Sequence, residues 1–120
     1  SYLPARPVLV PGTVATNLEL LGAPVRDTGV DIGVPLDREL GAHGTGLSAG
    51  QGQRLAVSRT LARGDGPRLL LLDEPTAHLN PELVADLGAL LRQRAAVGDA
   101  VVVATHDPRI VALADEVVAL

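Results

Sequence analysis

Two adjacent carboxylates, Asp73 and Glu74, follow a run of four leucines at positions 69–72. A continuous aliphatic run of this length is typical of a strand in a parallel sheet, and open α/β sheets bind their ligands beyond the carboxyl ends of such strands. Asp73 offers the oxygen ligand that Mg²⁺ prefers, and Glu74 is a candidate general base for a water molecule. An isolated acidic pair after a strand is more often a solvated turn, so this assignment depends on the other motifs.

A second group of residues begins a predicted helix and could contact an anion. The helix begins with Ser48, Ala49, Gly50 and Gln51, with Ser48 as its N-cap. A helix N-terminus presents free N–H groups and a positive dipole end, Gly50 permits close backbone approach, and the Ser48 hydroxyl can donate to a phosphate oxygen. The same four residues also fit a plain serine cap with a glycine in the first turn.

A histidine follows a second aliphatic run. Thr105 and His106 come directly after residues 100–104, a second predicted buried strand, where the His106 imidazole could contact a phosphate. A single histidine before an Asp-Pro helix start is more often a solvated loop residue. We predict that His43 and His78 lie at the surface, because neither has metal-ligand spacing to a second side chain.

The three strings Leu-Ser-Ala-Gly-Gln, Leu-Leu-Leu-Leu-Asp-Glu-Pro and Thr-His, in this order, resemble the signature motif, Walker B strand and switch histidine of ATP-binding-cassette (ABC) ATPases. The resemblance implies ATP and Mg²⁺ as cofactors, with Asp73 as the metal ligand and Glu74 and His106 as catalytic residues. It also implies that the Ser48 motif contacts ATP held by a partner domain. Two nucleotide-binding domains would then share two composite sites.

The chain departs from the family pattern in several places. All ten basic residues are arginine, so a phosphate-binding loop of the form G-x-x-x-x-G-K-[ST] is absent from this sequence. We therefore expect this chain to be the C-terminal part of a larger nucleotide-binding domain and to be inactive by itself. We also expect its leucine strand to have an unpaired edge. The family's Q-loop glutamine would fall at Ala5 and its D-loop aspartate at Asn80, where asparagine keeps only the helix-capping function.

Hydrophobic periodicity and helix-start signals predict an α/β fold with parallel strands, a partial P-loop NTPase core with flanking helices and a shortened helical subdomain. We divide the chain into a Q-loop-like opening segment with the shortened subdomain, residues 1–47, and the ATPase core, residues 48–120. Both leucine- and valine-rich strands are expected to be buried on both faces. The predicted helices are 13–21, 48–63, 81–97 and 108–114, and the predicted strands are 68–72, 100–104 and 117–120.

Composition restricts the class of protein. The 120 residues, 47% of them hydrophobic, fit one domain or a piece of one. Cysteine is absent, which excludes disulfides and thiolate metal sites. The apolar runs are too short to cross a bilayer. A net charge of −4 with scattered arginines offers no basic stripe, so nucleic acid is not expected as a partner.

The resemblance implies an ATPase that drives transmembrane export from the cytoplasmic face of the cell membrane, partnered by a second nucleotide-binding domain and a transmembrane domain. Within the family, the opening segment and the D-E-P-T-A-H-L run look most like thiol exporters linked to cytochrome bd assembly. An alternative is a degenerate partner domain, which donates the signature motif but hydrolyses nothing. A soluble relative acting in DNA repair or translation is disfavoured by the missing basic surface.

Overall fold

The computed structural model describes residues 1–22 and 24–120. Two short 3₁₀ turns, Leu20–Gly22 and Ala42–Gly44, lie among the short elements that precede the first long helix. In chain order the strands are β1 (Tyr2–Leu3), β2 (Gly12–Thr13), β3 (Glu39–Leu40), β4 (Leu69–Asp73) and β5 (Ala100–Ala104). The α-helices are α1 (Val14–Leu18), α2 (Ala49–Ala62), α3 (Pro81–Ala96) and α4 (Pro108–Val111).

The main sheet has three parallel strands in the order β1-β4-β5. Five residue pairs join β4 to β5, from Leu69 with Ala100 to Asp73 with Ala104. A separate antiparallel pair joins β2 to β3. The predicted α/β class with parallel strands is therefore confirmed. The predicted unpaired edge of the leucine strand is wrong, because β1 pairs with β4 on the side opposite β5.

Helices α2 and α3 cover one face of this sheet and form the main core with it. Leu70 and Leu72 of β4 point into a cluster of buried aliphatic side chains from both helices. A second cluster forms around Leu55 on the other side of α2, where the region predicted as the shortened helical subdomain packs. The other members of that second cluster are Val14, Leu18, Ile32 and Leu40.

The opposite face of the sheet is exposed in this chain. Leu69 is 51% and Val102 is 55% exposed, and Leu71 and Tyr2 also lie at the surface. The prediction that both faces are buried is therefore wrong for these 120 residues. The uninterrupted aliphatic run still matters energetically. Apolar side chains on an uncovered face of the sheet remain in contact with water, which is unfavourable.

Helix starts were predicted more accurately than helix ends, and the predicted bounds of β5 match those observed. Ser48, Asn80 and Asp107 cap α2, α3 and α4 as expected, each accepting a hydrogen bond from a backbone N–H of the first turn. Helix α1 is shorter than predicted, and α4 ends at Val111 instead of near residue 114. The predicted last strand, 117–120, is wrong. Val118 is 73% exposed, and a strand needs a neighbour that satisfies its backbone groups.

A buried polar network fastens the opening segment to α2. Asn17 is fully buried, and its side-chain amide exchanges hydrogen bonds with the backbone of Val10. Arg59 of α2 donates to the backbone carbonyls of Val8 and Asn17 at 2.9 and 3.3 Å. Burial lowers the pKa of Arg59, and the charge of Arg63 lowers it further.

Each helix in the described part of the chain is too short or too polar to cross a membrane.

Asp99 joins the starts of β4 and β5, opposite the end that carries Asp73. Its carboxylate accepts hydrogen bonds from the Arg68 backbone N–H at 2.9 Å and from the Arg94 guanidinium at 2.7 Å. Burial raises the pKa of Asp99, but these hydrogen bonds and the charges of both arginines outweigh it, so the pKa lies below its ordinary range. The network fixes the register in which the two strands begin.

We expect Asp99→Asn to lower the free energy of unfolding by about 2 kcal/mol at neutral pH, because hydrogen bonds to charged groups are lost. The exposed pair Arg92–Asp115 supplies the control, and Asp115→Asn should change stability by less than about 0.5 kcal/mol. A carboxyl with a lowered folded pKa stabilises above its unfolded pKa. The difference between wild type and Asp99→Asn should therefore shrink as the pH falls below about 4. Urea unfolding at several pH values measures the free energy of unfolding of wild type and both variants. Equal losses for Asp99→Asn and Asp115→Asn would contradict this account.

Candidate functional site

The acidic pair lies at the C-terminal edge of the parallel sheet. Asp73 is the last residue of β4 and pairs with Ala104, the last residue of β5. The Glu74 backbone N–H donates to the Ala104 carbonyl at 2.8 Å, so the pairing continues one residue past the strand. Both carboxylate side chains are half-buried. This edge is where open α/β sheets bind their ligands.

Residues that follow β5 approach the Glu74 carboxylate. The Thr105 hydroxyl donates to Glu74 Oε2 at 3.4 Å, and His106 Nε2 lies 3.8 Å from Glu74 Oε1. The His106 side chain is fully exposed, so its imidazole is free to contact a ligand at this edge. The structure thus brings Glu74 and His106 together, and their catalytic roles stay a prediction. His43 and His78 are exposed, as predicted.

The turn after His106 is held by an ion pair. Asp107 accepts hydrogen bonds from the Arg109 backbone N–H at 2.9 Å and from the Arg109 guanidinium at 2.7 Å. The hydrogen bond from the Arg109 side chain is the main reason why the pKa of Asp107 is lowered to about 2. Asp107 therefore stays ionised at neutral pH and caps α4, which fixes the backbone on the C-terminal side of His106.

The predicted anion-binding helix tip is accessible. Ser48 and Ala49 are exposed, and Gly50 and Gln51 are partly exposed. Ser48 and Gln51 form a capping box, in which the Ser48 hydroxyl accepts from the Gln51 N–H and the Gln51 side chain accepts from the Ser48 N–H. Since the Ser48 oxygen is used there as an acceptor, its hydrogen remains able to donate to an anion.

Gly50 lets this helix tip pack against the loop that follows the acidic pair. A Cβ at position 50 would lie 2.8 Å from the backbone oxygen of His78. His78 itself has a left-handed backbone, with φ at 63°, which turns its carbonyl towards the helix. The helix tip and the loop after Glu74 are therefore in direct contact within one chain.

The structure places the two residues, Ala5 and Asn80, that stand where the resembled family has glutamine and aspartate. Ala5 is exposed and follows β1, so it lies beyond the same sheet edge as Asp73. Its methyl group cannot ligate a metal ion. The Asn80 side chain accepts from the Leu83 N–H at 2.9 Å and caps α3, which confirms the predicted capping function.

A divalent metal would find one candidate ligand here. Within residues 1–22 and 24–120, no group of three or more histidine and acidic side chains could hold a metal ion. Asp73 nevertheless fits Mg²⁺, because this ion is commonly held by one or two protein carboxylates, with water and substrate phosphates completing its shell. The donor set therefore suits a metal that arrives with a nucleotide.

Comparison with known proteins bears directly on this arrangement. The model of the family "AAA domain, putative AbiEii toxin, Type IV TA system" matches residues 43–112, which contain the helix tip, the acidic pair and His106. The chain belongs to this AAA-domain family. The match covers both strands that carry the site, and the comparison therefore agrees with the P-loop NTPase fold fragment predicted from the motifs.

Individual relatives of this AAA-domain protein are ABC proteins. It is 49% identical over 74 residues to an uncharacterized ABC transporter ATP-binding protein of Mycobacterium bovis, covering 62% of this chain and 22% of the relative. It is 41% identical over 88 residues to the lipoprotein-releasing system ATP-binding protein LolD of Anaeromyxobacter dehalogenans, covering 72% of this chain and 36% of LolD. The chain thus spans only about a fifth to a third of the length of these relatives.

A solved structure shows the same fold. A bacterial Atm1-family ABC exporter with ATP bound superposes with a TM-score of 0.72 at 26% identity, covering 92% of this chain and 22% of the exporter chain. Together with the names of the relatives, this similarity confirms the resemblance to ABC transporter ATP-binding domains. The names of these proteins do not mention thiol export, so that narrower assignment stays a prediction.

Sequence reasoning did not assign two polar residues that touch Glu74. Thr105 was part of a motif but received no role, although its hydroxyl contacts the carboxylate. Gln53 is only 3% exposed, and its side-chain amide donates to the backbone carbonyls of Glu74 and Pro75 at 3.3 and 3.1 Å. The available signal was a polar residue on the apolar face of α2, since a buried amide needs hydrogen-bond partners.

We expect Gly50→Ala to lower the free energy of unfolding by about 1–3 kcal/mol, because the new methyl group collides with the His78 carbonyl. Gly52 provides a matched control in the same helix, since a Cβ there would meet, among the described residues outside this helix, the Leu9 side chain alone, at 3.4 Å. Gly52→Ala should stabilise the chain by about 0.5–1 kcal/mol, as expected for alanine in a helix interior. Urea unfolding compares them, and a neutral Gly50→Ala would show that the contact is not tight.

Proposed function

We propose that this chain supplies the Walker B edge and the signature helix of an ABC-type ATPase, which hydrolyses ATP to drive export across the cell membrane. Asp73 would hold the Mg²⁺ that accompanies ATP, Glu74 would activate the attacking water, and His106 would contact the γ-phosphate. The domain would work at the cytoplasmic face of the membrane, joined to a transmembrane domain. The predicted division into residues 1–47 and 48–120 belongs to the same proposal.

One observation carries this proposal. The carboxylate of Glu74 stands at the C-terminal edge of a parallel sheet, with the hydroxyl and imidazole of the next strand's end 3.4 and 3.8 Å away. A carboxylate at such an edge can accept a proton from water while an adjacent imidazole contacts the phosphate that is attacked. Mg²⁺ would neutralise charge on the phosphates when it is bound with ATP.

The helix tip supports a dimeric arrangement. Ser48 and Ala49 are exposed, and the Ser48 hydrogen is free to donate, so a second protomer can reach this tip. We propose that the residues from Ser48 to Gln51 complete an ATP site whose phosphate-binding loop belongs to a partner domain, either an identical copy or a related subunit. The solved Atm1-family exporter favours the exporter type, and the thiol-exporter assignment remains part of the proposal.

A second candidate function is a degenerate partner domain that donates Ser48 to another subunit's ATP without hydrolysing its own. Ala5 favours it, because the strand end beside Asp73 lacks a side chain that can hold Mg²⁺. Asn80 favours it as well, because asparagine keeps the N-cap of α3 but lacks the negative charge of the family's aspartate. The contacts that Thr105 and His106 make with Glu74 favour the hydrolysing function instead.

The 120-residue chain alone should bind Mg·ATP too weakly to saturate at millimolar nucleotide, because this sequence has no lysine and hence no phosphate-binding loop. Isothermal titration calorimetry with Mg·ATP measures this, with Mg²⁺ alone as the reference titration. Micromolar affinity accompanied by turnover would contradict the half-site proposal.

In the full-length protein, Glu74→Gln should lower the ATPase rate by at least about 100-fold, which is the size of a general-base contribution. Glu116→Gln is the matched control, because Glu116 is exposed and follows Asp115, which pairs with Arg92 near the C-terminal end of α3. Steady-state phosphate release measures both variants. An unchanged rate for Glu74→Gln would exclude the catalytic role of Glu74 and favour the degenerate partner domain.

A further inference from the structure

The backbone of Glu74 is held in an unusual conformation. Its φ is 46°, a left-handed value that residues other than glycine adopt rarely. Such residues persist where surrounding contacts determine them, and they concentrate at functional sites. Two of those contacts are visible here, since the Glu74 N–H donates to the Ala104 carbonyl at 2.8 Å and the Glu74 carbonyl accepts from the Gln53 amide at 3.3 Å.

These contacts hold the backbone of Glu74 and do not orient its carboxylate. The exposed His106 imidazole lies 3.8 Å away, beyond hydrogen-bond distance. Among the described residues, the side-chain group that lies within hydrogen-bond distance of this carboxylate is the Thr105 hydroxyl, 3.4 Å from Oε2.

The hydrogen of the Thr105 hydroxyl has a defined direction. Its oxygen accepts the Asp107 backbone N–H at 3.0 Å, which occupies an acceptor position of the hydroxyl. A threonine hydroxyl has one hydrogen to donate, and the Glu74 carboxylate is the acceptor in reach. The backbone N–H of Asp107 is itself held in place, because Asp107 caps α4 and pairs with Arg109.

We propose that Thr105 is a positioning residue for the proposed ATPase reaction. It orients the Glu74 carboxylate through its hydroxyl, which is held in turn by the capped turn at Asp107. This inference rests on the proposed role of Glu74 as the general base. A carboxylate that rotates freely spends less time aligned with a water molecule, and small misplacements of reacting groups reduce rates strongly.

Steady-state kinetics of the full-length protein test this proposal. Thr105→Val keeps the shape of the side chain and removes the hydroxyl, so kcat should fall about 10-fold while KM for Mg·ATP stays within about twofold. Thr105→Ser restores the donor and should restore kcat. Thr28→Val is the matched control, because it removes a hydroxyl hydrogen bond to Ser58 away from the sheet edge and should leave kcat unchanged.

A kcat for Thr105→Val equal to that of Thr28→Val, or one that serine does not restore, would overturn the positioning role. If Glu74→Gln loses activity in the same preparation, only this inference fails. If Glu74→Gln keeps full activity, the proposed function fails with it. NMR relaxation of the Glu74 side chain in the full-length protein provides a second measurement without ATP. Thr105→Val should increase its motion and Thr105→Ser should not, and equal motion in both variants would again overturn the proposal.

Discussion

The parallel pairing of β4 with β5 is the constraint on which the site depends. Parallel strands end at the same edge, so the pairing brings residues 31 positions apart, Glu74 and Thr105, into contact. The Asp99 network fixes where the two strands begin, and the hydrogen bond from Glu74 to Ala104 fixes where they end. A shift of one residue in this register would turn every side chain of the shifted strand to the other face and separate the proposed catalytic groups.

Helix α2 links the two halves of the proposed mechanism within one chain. Its tip presents Ser48 to solvent, Gly50 packs on the His78 carbonyl, and Gln53 holds the backbone of the acidic turn. A rigid connection of this kind means that a displacement of the acidic turn on nucleotide binding would also displace the helix tip. In a dimer with shared sites, one nucleotide would thus influence the other through packed side chains and hydrogen bonds.

Local sequence signals predicted much of this structure. The caps at Ser48, Asn80 and Asp107 marked the helix starts, and the aliphatic runs marked β4 and β5. Contacts made by distant residues were not predictable, because the exposure of Leu69 and the failure of residues 117–120 to form a strand depend on which neighbours are present. For the same reason the sequence indicated Glu74 and His106 but not Thr105 or Gln53, whose roles follow from tertiary hydrogen bonds.

The central claim is that Ser48 and Glu74 of one chain serve two different ATP sites. Mixing two inactive full-length variants tests it most directly, one carrying Glu74→Gln and the other Ser48→Arg. In a mixed dimer with shared sites, both defects fall in one site and the other site is intact, so the account predicts that ATPase activity returns. If both residues serve the same chain's own site, each site of the mixed dimer carries one defect. Where the two domains are identical copies, a mixture that remains inactive after subunit exchange would contradict the account.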